Sequence, residues 1–187
     1  MNIEDLAARL DRVEARAAIK DLAVRYAIAV DSRDVGAWTQ MFVPDVNCGR
    51  FGTGREALRQ SIEPALRNFY RSMHMVSGHA VDFDGPDRAT GMVYCRAEHE
   101  VGARWIVMAI IYDDLYARVD GQWLFVRRKE RHWYATDMCD RPIGADAHQW
   151  SDHLKAPALP GQFTSWRDFW EAAGEDAVAA VTGFPVG

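Results

Sequence analysis

Near Met75 the hydrophobic period of this chain switches from that of helices to that of strands, and few folds accommodate the switch. Before it, Leu6, Leu10, Val13 and then Ile19, Leu22, Tyr26 and Val30 recur at spacings of three and four. That spacing predicts helix over residues 3–31, with a break near Arg16 because the two stripes are out of phase. Residues 34–42 read as a second short helix, with Asp34 as N-cap and Trp38, Met41 and Phe42 on its apolar side. Pro44 and the glycines at 49, 52 and 54 mark a loop or short edge strand. Residues 55–73 read as helix again, interrupted around Pro64. After the switch, residues 76–84, 89–101, 104–119 and 122–135 read as four long strands. Asp120-Gly121 between two β-rich runs is a strong hairpin signal. Helices followed by an antiparallel meander give an α+β class, with N-terminal helices packed on a curved, mostly antiparallel sheet. Past Pro142 the pattern weakens, and residues 164–181 read as a closing helix. The division expected is a domain over 1–142 and a C-terminal extension over 143–187.

A chain of 187 residues suits one domain with a substantial core. Its net charge of -5 argues against a nucleic-acid partner, which would require a dense basic face. The basic run Arg127-Arg128-Lys129 lies in a strand pattern, so its members point to alternate faces. Cys48, Cys95 and Cys139 are odd in number and form no CxxC pair, which points to a reducing cytoplasm rather than a disulfide framework. The N-terminal run Met1-Asn2-Ile3-Glu4-Asp5 lacks the apolar core of a secretion signal. The longest apolar run, Trp105 to Tyr112, is too short to span a membrane.

Two residues invite a chemical role. Asp31 ends the second helical stretch, the one after the break near Arg16, where a carboxylate faces the negative end of the helix dipole. It is either a solvated acid at a turn or an acid held to orient a histidine. His74, between Met73 and Met75, is either a satisfied core-edge histidine or a general base. A base of that kind needs an acceptor on its second ring nitrogen to fix the tautomer. No GxSxG, HExxH or Gly-rich phosphate loop is present, so neither a metal nor a nucleotide cofactor is expected.

Ala17-Ala18-Ile19-Lys20-Asp21-Leu22, Arg25-Tyr26, Val30-Asp31-Ser32-Arg33-Asp34, Trp38 and Met41-Phe42 resemble the opening of the SnoaL-like branch of the nuclear transport factor 2-like superfamily. Met73-His74-Met75, Asp87-Arg88-Ala89-Thr90-Gly91, Tyr112-Asp113-Asp114 and Arg118-Val119-Asp120-Gly121-Gln122-Trp123 continue the match in order, over residues 15–135. The pattern is similar to scytalone dehydratase, bile acid 7α-dehydratase and hexachlorocyclohexane dehydrochlorinase, which perform eliminations without a cofactor. The resemblance implies a cone-shaped α+β barrel and makes Asp31 and His74 the catalytic pair. It adds Tyr26 and Arg128 as donors to a developing oxyanion or leaving group, and a middle-strand acid or histidine at Glu98 or His99.

Two geometric constraints bear on these residues. Tyr26 and Asp31 differ by about 140° around an ideal helix, so they share a cavity only if the helix turns at Asp31. On the last strand, alternation puts Leu124, Val126, Arg128, Glu130 and His132 on one face, with Trp123, Phe125, Arg127, Lys129 and Arg131 on the other. A buried Arg128 must then be answered by Glu130 or by substrate. His99, His132, Trp38, Phe51, Tyr112 and Trp133 are the candidate substrate-binding residues, suited to an apolar ring.

The function expected is a cofactor-independent lyase that dehydrates an apolar hydroxylated small molecule. The same base would also serve a carbon–carbon lyase releasing formaldehyde from a lignin-derived diaryl diol. Two further readings are a ketosteroid-type isomerase and a non-catalytic small subunit of an aromatic-ring dioxygenase. The resemblance implies a homo-oligomer, a trimer, with the tail over the cavity or on a neighbour.

Overall fold

The computed structural model describes residues 2–150 and 157–182. Helix α1 runs unbroken over Ile3–Ser32, opened by a capping box between Asn2 and Asp5. The break expected near Arg16 is absent, because the two out-of-phase stripes belong to two faces of one helix. Ile19, Leu22, Ala23, Ala27 and Val30 are buried, whereas Leu6, Leu10 and Val13 are more than half exposed. The helix stops at Arg33, which takes the left-handed conformation (φ 61°). The Arg33 guanidinium donates to the Val30 carbonyl at 2.6 Å and to the Phe69 and Tyr70 carbonyls at 3.2 Å. It thereby ties the end of α1 to the segment leading into the sheet.

Helix α2 spans Val35–Gln40, and Asp34 caps it by accepting from the Ala37 amide at 2.8 Å. A glycine-flanked turn leads to α3, Arg55–Leu66. The helix expected to resume after Pro64 ends two residues beyond it. Residues from Ser72 onward join the sheet instead, and the Tyr70 amide already donates to the Glu100 carbonyl at 2.9 Å.

Strands β1 (Ser72–Phe83), β2 (Arg88–Val101), β3 (Arg104–Val119) and β4 (Gln122–Asp137) form an antiparallel meander in sequence order. The sheet is curved and not closed. Register places His74 opposite Ala97, Ala97 opposite Met108 and Met108 opposite Ala135. A second row joins His79, Val93, Tyr112 and Glu130. Both rows lie on the face that the helices cover.

Strict alternation fails on β4. Register shifts leave Val126 and Trp133 without a partner on β3, so each flips the face taken by the residues after it. Phe125 therefore shares the inner face with Arg128, Glu130 and His132, and Trp133 is turned away. Beyond β4, the Gln149 amide donates to the Ala135 carbonyl at 2.7 Å and Arg104 donates to the Gln149 carbonyl at 2.9 Å, which carries the buried Trp150 over one end of the sheet. The single closing helix expected over 164–181 is two, α4 (Thr164–Ala173) and α5 (Glu175–Thr182), parted by Gly174 at φ 83°. Parts of the expected extension, residues 151–156 and 183–187, lie outside the described residues. Among the described residues no helix is long and apolar enough to cross a membrane.

Candidate active site

Asp31 and His74 meet although 43 positions separate them. His74 Nδ1 lies 2.7 Å from Asp31 Oδ1, and the His74 amide donates to Oδ2 at 2.8 Å. Ser72 Oγ donates to Oδ1 at 2.7 Å. Burial pushes the Asp31 carboxyl up, but the hydrogen bonds from His74 and Ser72 outweigh it and hold the group below the usual carboxylate range. Asp31 is therefore an acceptor only, and Nδ1 carries the hydrogen. In the neutral ring that tautomer puts the lone pair on Nε2, the atom able to take a proton. The His74 side chain is 7% exposed, and the unfavourable dipole position of Asp31 is offset by three donors.

His74 forms part of the wall of a cavity of about 200 Å³ between the helices and the sheet. Tyr26 and Val30 of α1, Leu66 of α3, and His99, Tyr112 and Glu130 of the sheet are also in that wall. Tyr26 and Asp31 are reconciled because only Tyr26 faces the cavity; Asp31 stands behind His74. Leu66, Asn68 and Phe69 separate this cavity from a larger outer cleft of about 630 Å³, which Arg33 and Glu100 also line. His99 meets His74 edge-on with ring centroids 5.4 Å apart, and Trp150 and Phe69 pack on it at 4.5 and 4.6 Å. Burial, reinforced by the neighbouring His74, pushes the His99 imidazole down to about 3, so it is neutral at ordinary pH.

Arg128 occupies the layer behind the cavity. Its Nε and Nη2 donate to the two oxygens of Asp114 at 2.9 and 2.7 Å, and both side chains are almost wholly buried. The partner is Asp114, not the Glu130 or substrate expected. The guanidinium lies 4.3 Å over the Tyr26 ring and 4.4 Å over those of Tyr112 and Phe125. It therefore does not line the cavity; it touches the two tyrosines that do. Burial pushes the Tyr26 phenol up to about 12, against the lowering effect of Arg128, so Tyr26 stays a hydrogen-bond donor. Tyr116 donates to Asp114 at 2.6 Å and sits 3.1 Å from His79 Nε2. The network needs Gly91, where a Cβ would fall 2.8 Å from the Tyr116 ring and 2.9 Å from His79 Nε2.

The other sequence candidates separate. His99 and Tyr112 line the cavity. His132 is buried two positions along the strand and pairs through Nε2 with Glu130, which does line it. Trp38 lies in the aromatic core against Tyr26 and Phe42. Phe51 is 39% exposed in the glycine turn, and Trp133, bulged outward, packs on Phe163. These three do not reach the cavity. Sequence reasoning missed Trp150, Phe69, Glu130 as a wall residue, and Asp114. Two of these carried a signal: Glu130 shares strand parity with Arg128, and Asp114 shares it with Tyr112. Among the described residues no group of three His, Cys, Asp or Glu side chains is placed to hold a metal.

Comparison with known proteins agrees with this architecture. The SnoaL-like domain family matches residues 11–129. Gamma-hexachlorocyclohexane dehydrochlorinase of Sphingobium indicum is 28% identical over 136 residues, which cover 69% of this chain and 87% of that protein. A crystal structure of a scytalone dehydratase-like protein of Novosphingobium aromaticivorans superposes with TM-score 0.60 at 26% identity, covering 70% of this chain and 92% of that one. That of a hexachlorocyclohexane dehydrochlorinase of Novosphingobium barchaimii does so with TM-score 0.63 at 27% identity, covering 71% and 96%.

Proposed function

The chain belongs to the SnoaL-like domain family, with the cone-type fold of the nuclear transport factor 2-like superfamily, and from that membership we propose that it is an elimination lyase acting on a small apolar molecule. Its relatives include enzymes named for loss of hydrogen chloride and of water. One observation supports the assignment above the rest: an imidazole held by a carboxylate at 2.7 Å, standing in the wall of a small, largely apolar cavity. His74 Nε2 removes a proton from carbon while Asp31 stabilises the imidazolium that forms. Tyr26 and Tyr112 offer phenolic hydrogens to charge that develops on the substrate. The apolar surround of Val30, Ile62, Met108 and Ile110 suits a ring or hydrocarbon skeleton. Dehydration is the elimination proposed.

The test is a screen of hydroxylated aromatic and steroid-like compounds for new ultraviolet absorption, using wild type and His74→Ala side by side. Elimination creates a conjugated alkene, so a hit grows in absorbance with the wild type and not with the variant. Formaldehyde measured in the same samples separates dehydration from carbon–carbon cleavage. Equal turnover by the two proteins sinks the base assignment.

We also propose a homotrimer. Leu6, Leu10 and Val13 on α1 and Phe169 on α4 leave apolar surface exposed on one chain, which subunit packing would cover. Light scattering is expected to give three times the 21.1 kDa chain mass. A mass equal to one chain would refute it.

A further inference from the structure

A second carboxylate–imidazole pair reaches the cavity through its carboxylate, Glu130, on the far edge of the sheet from the first. Asp31–His74 sits at β1, one edge strand; Glu130–His132 sits at β4, the other. Curvature of the sheet brings both into one space, since His74 and Glu130 line the same cavity of about 200 Å³. Their registers fix them there. Glu130 lies opposite Tyr112 and His132 opposite Ile110, and both of those partners are cavity walls.

The second pair is built differently from the Arg128–Asp114 pair behind it. His132 is buried, its ring pairs with Glu130, and its backbone carbonyl accepts from the Leu159 amide at 3.0 Å, which ties this stretch of β4 to the tail. The Glu130 side chain is 37% exposed. It can therefore exchange a proton with water, which the sealed Asp114 cannot.

An elimination breaks two bonds. The C–H electron pair becomes the new π bond as the proton passes to the base, and the electrons of the other bond leave with the departing group. Chloride departs without help. Hydroxide is a poor leaving group and must gain a proton as it goes. We propose that Glu130, positioned by His132, is the general acid that protonates a departing hydroxyl. The proposal rests on the elimination assigned above and specifies its leaving group. Glu130 as the neutral acid gives its proton to the leaving oxygen, which departs as water. The resulting carboxylate accepts the N–H of His132. The proton taken from carbon stays on His74 Nε2 until it returns to solvent, and Glu130 regains one from water, so the cycle balances.

Two probes with one carbon skeleton test this: a β-hydroxy phenyl ketone and its β-chloro counterpart, which give the same conjugated enone. Rates are read above the uncatalysed background. Glu130→Gln is expected to lower kcat on the alcohol by about 10²–10⁴-fold and to leave the chloride within a few-fold, with His132→Asn giving the same pattern more weakly. The chloride reaction doubles as a check that the variants are folded. Equal loss on both probes, or no loss on the alcohol, overturns the acid role. Wild type that consumes the chloride and not the alcohol overturns it too. His74→Ala separates this role from the base: unimpaired turnover there overturns the base and leaves the Glu130 comparison standing. Turnover of neither probe by wild type ends both assignments.

Discussion

Replacing His74 by alanine is expected to lower turnover of any substrate by about 10³-fold or more, with little change in fold. A positioned base contributes roughly 10²–10⁴-fold, and here no other group holds the same place. His99 is the nearest imidazole, but burial keeps it neutral and it lacks a carboxylate partner. Asp31→Asn tests the same device more finely. It preserves volume and the contact at 2.7 Å, but an amide cannot stabilise imidazolium and its NH2 can turn the ring to the wrong tautomer. The expected loss is about 10²–10⁴-fold in kcat, by the logic of the aspartate in hydrolytic triads. The change also has a stability arm. The Asp31 carboxyl is held below its ordinary range in the fold, so its ionised form contributes stability above the unfolded pKa. That contribution is lost as pH falls through the lower folded value, and Asp31→Asn should flatten this acid limb. Circular dichroism of each variant checks the fold, and single-turnover kinetics isolate the chemical step. Full activity in both variants would falsify the Asp31–His74 mechanism.

The layers of the fold were legible because they depend on period and turn chemistry. The switch near Met75, the Asp120-Gly121 turn and the Asp34 cap are local signals that nothing distant overrides. The Asp31–His74 pair was legible only through family resemblance, since no local rule joins residues 43 positions apart. The features that sequence misplaced have physical causes. The α1 stripes conflicted because one faces the sheet and the other faces out, and periodicity cannot say which apolar face is buried. A bulge on β4 broke the alternation that put Phe125 on the face opposite Arg128, and neither Val126 nor Trp133, the residues at the two bulges, carries a bulge signature such as glycine. Trp150 enters the cavity from a segment without strong periodicity, tied down by the backbone of Gln149 and by its side-chain oxygen, which accepts from the distant Asp137 amide at 3.0 Å.

Asp114→Ala should be the most damaging single change to stability, because it leaves the Arg128 guanidinium buried and unanswered. Breaking a buried pair from one side costs about 3–5 kcal/mol. At this chain length each kcal/mol moves Tm by about 2–4 °C, so a drop of roughly 6–20 °C is expected in a thermal melt. Arg128→Met is expected to cost less. It removes the cation and leaves Asp114 with the Tyr116 hydroxyl at 2.6 Å, and a carboxyl can take up a proton where a guanidinium cannot lose one. The double variant Asp114→Leu with Arg128→Met should recover much of the stability, since well-packed apolar side chains often replace a buried pair at little net cost. Activity separates structure from function in that double variant. Arg128 lies over the faces of Tyr26 and Tyr112, and both rings stand in the cavity wall. If the pair also aligns those phenols, the double variant regains its Tm but not its kcat. Recovery of both would mean that Arg128 only fills space, and a single Asp114→Ala that melts like wild type would refute the stabilising role of the pair.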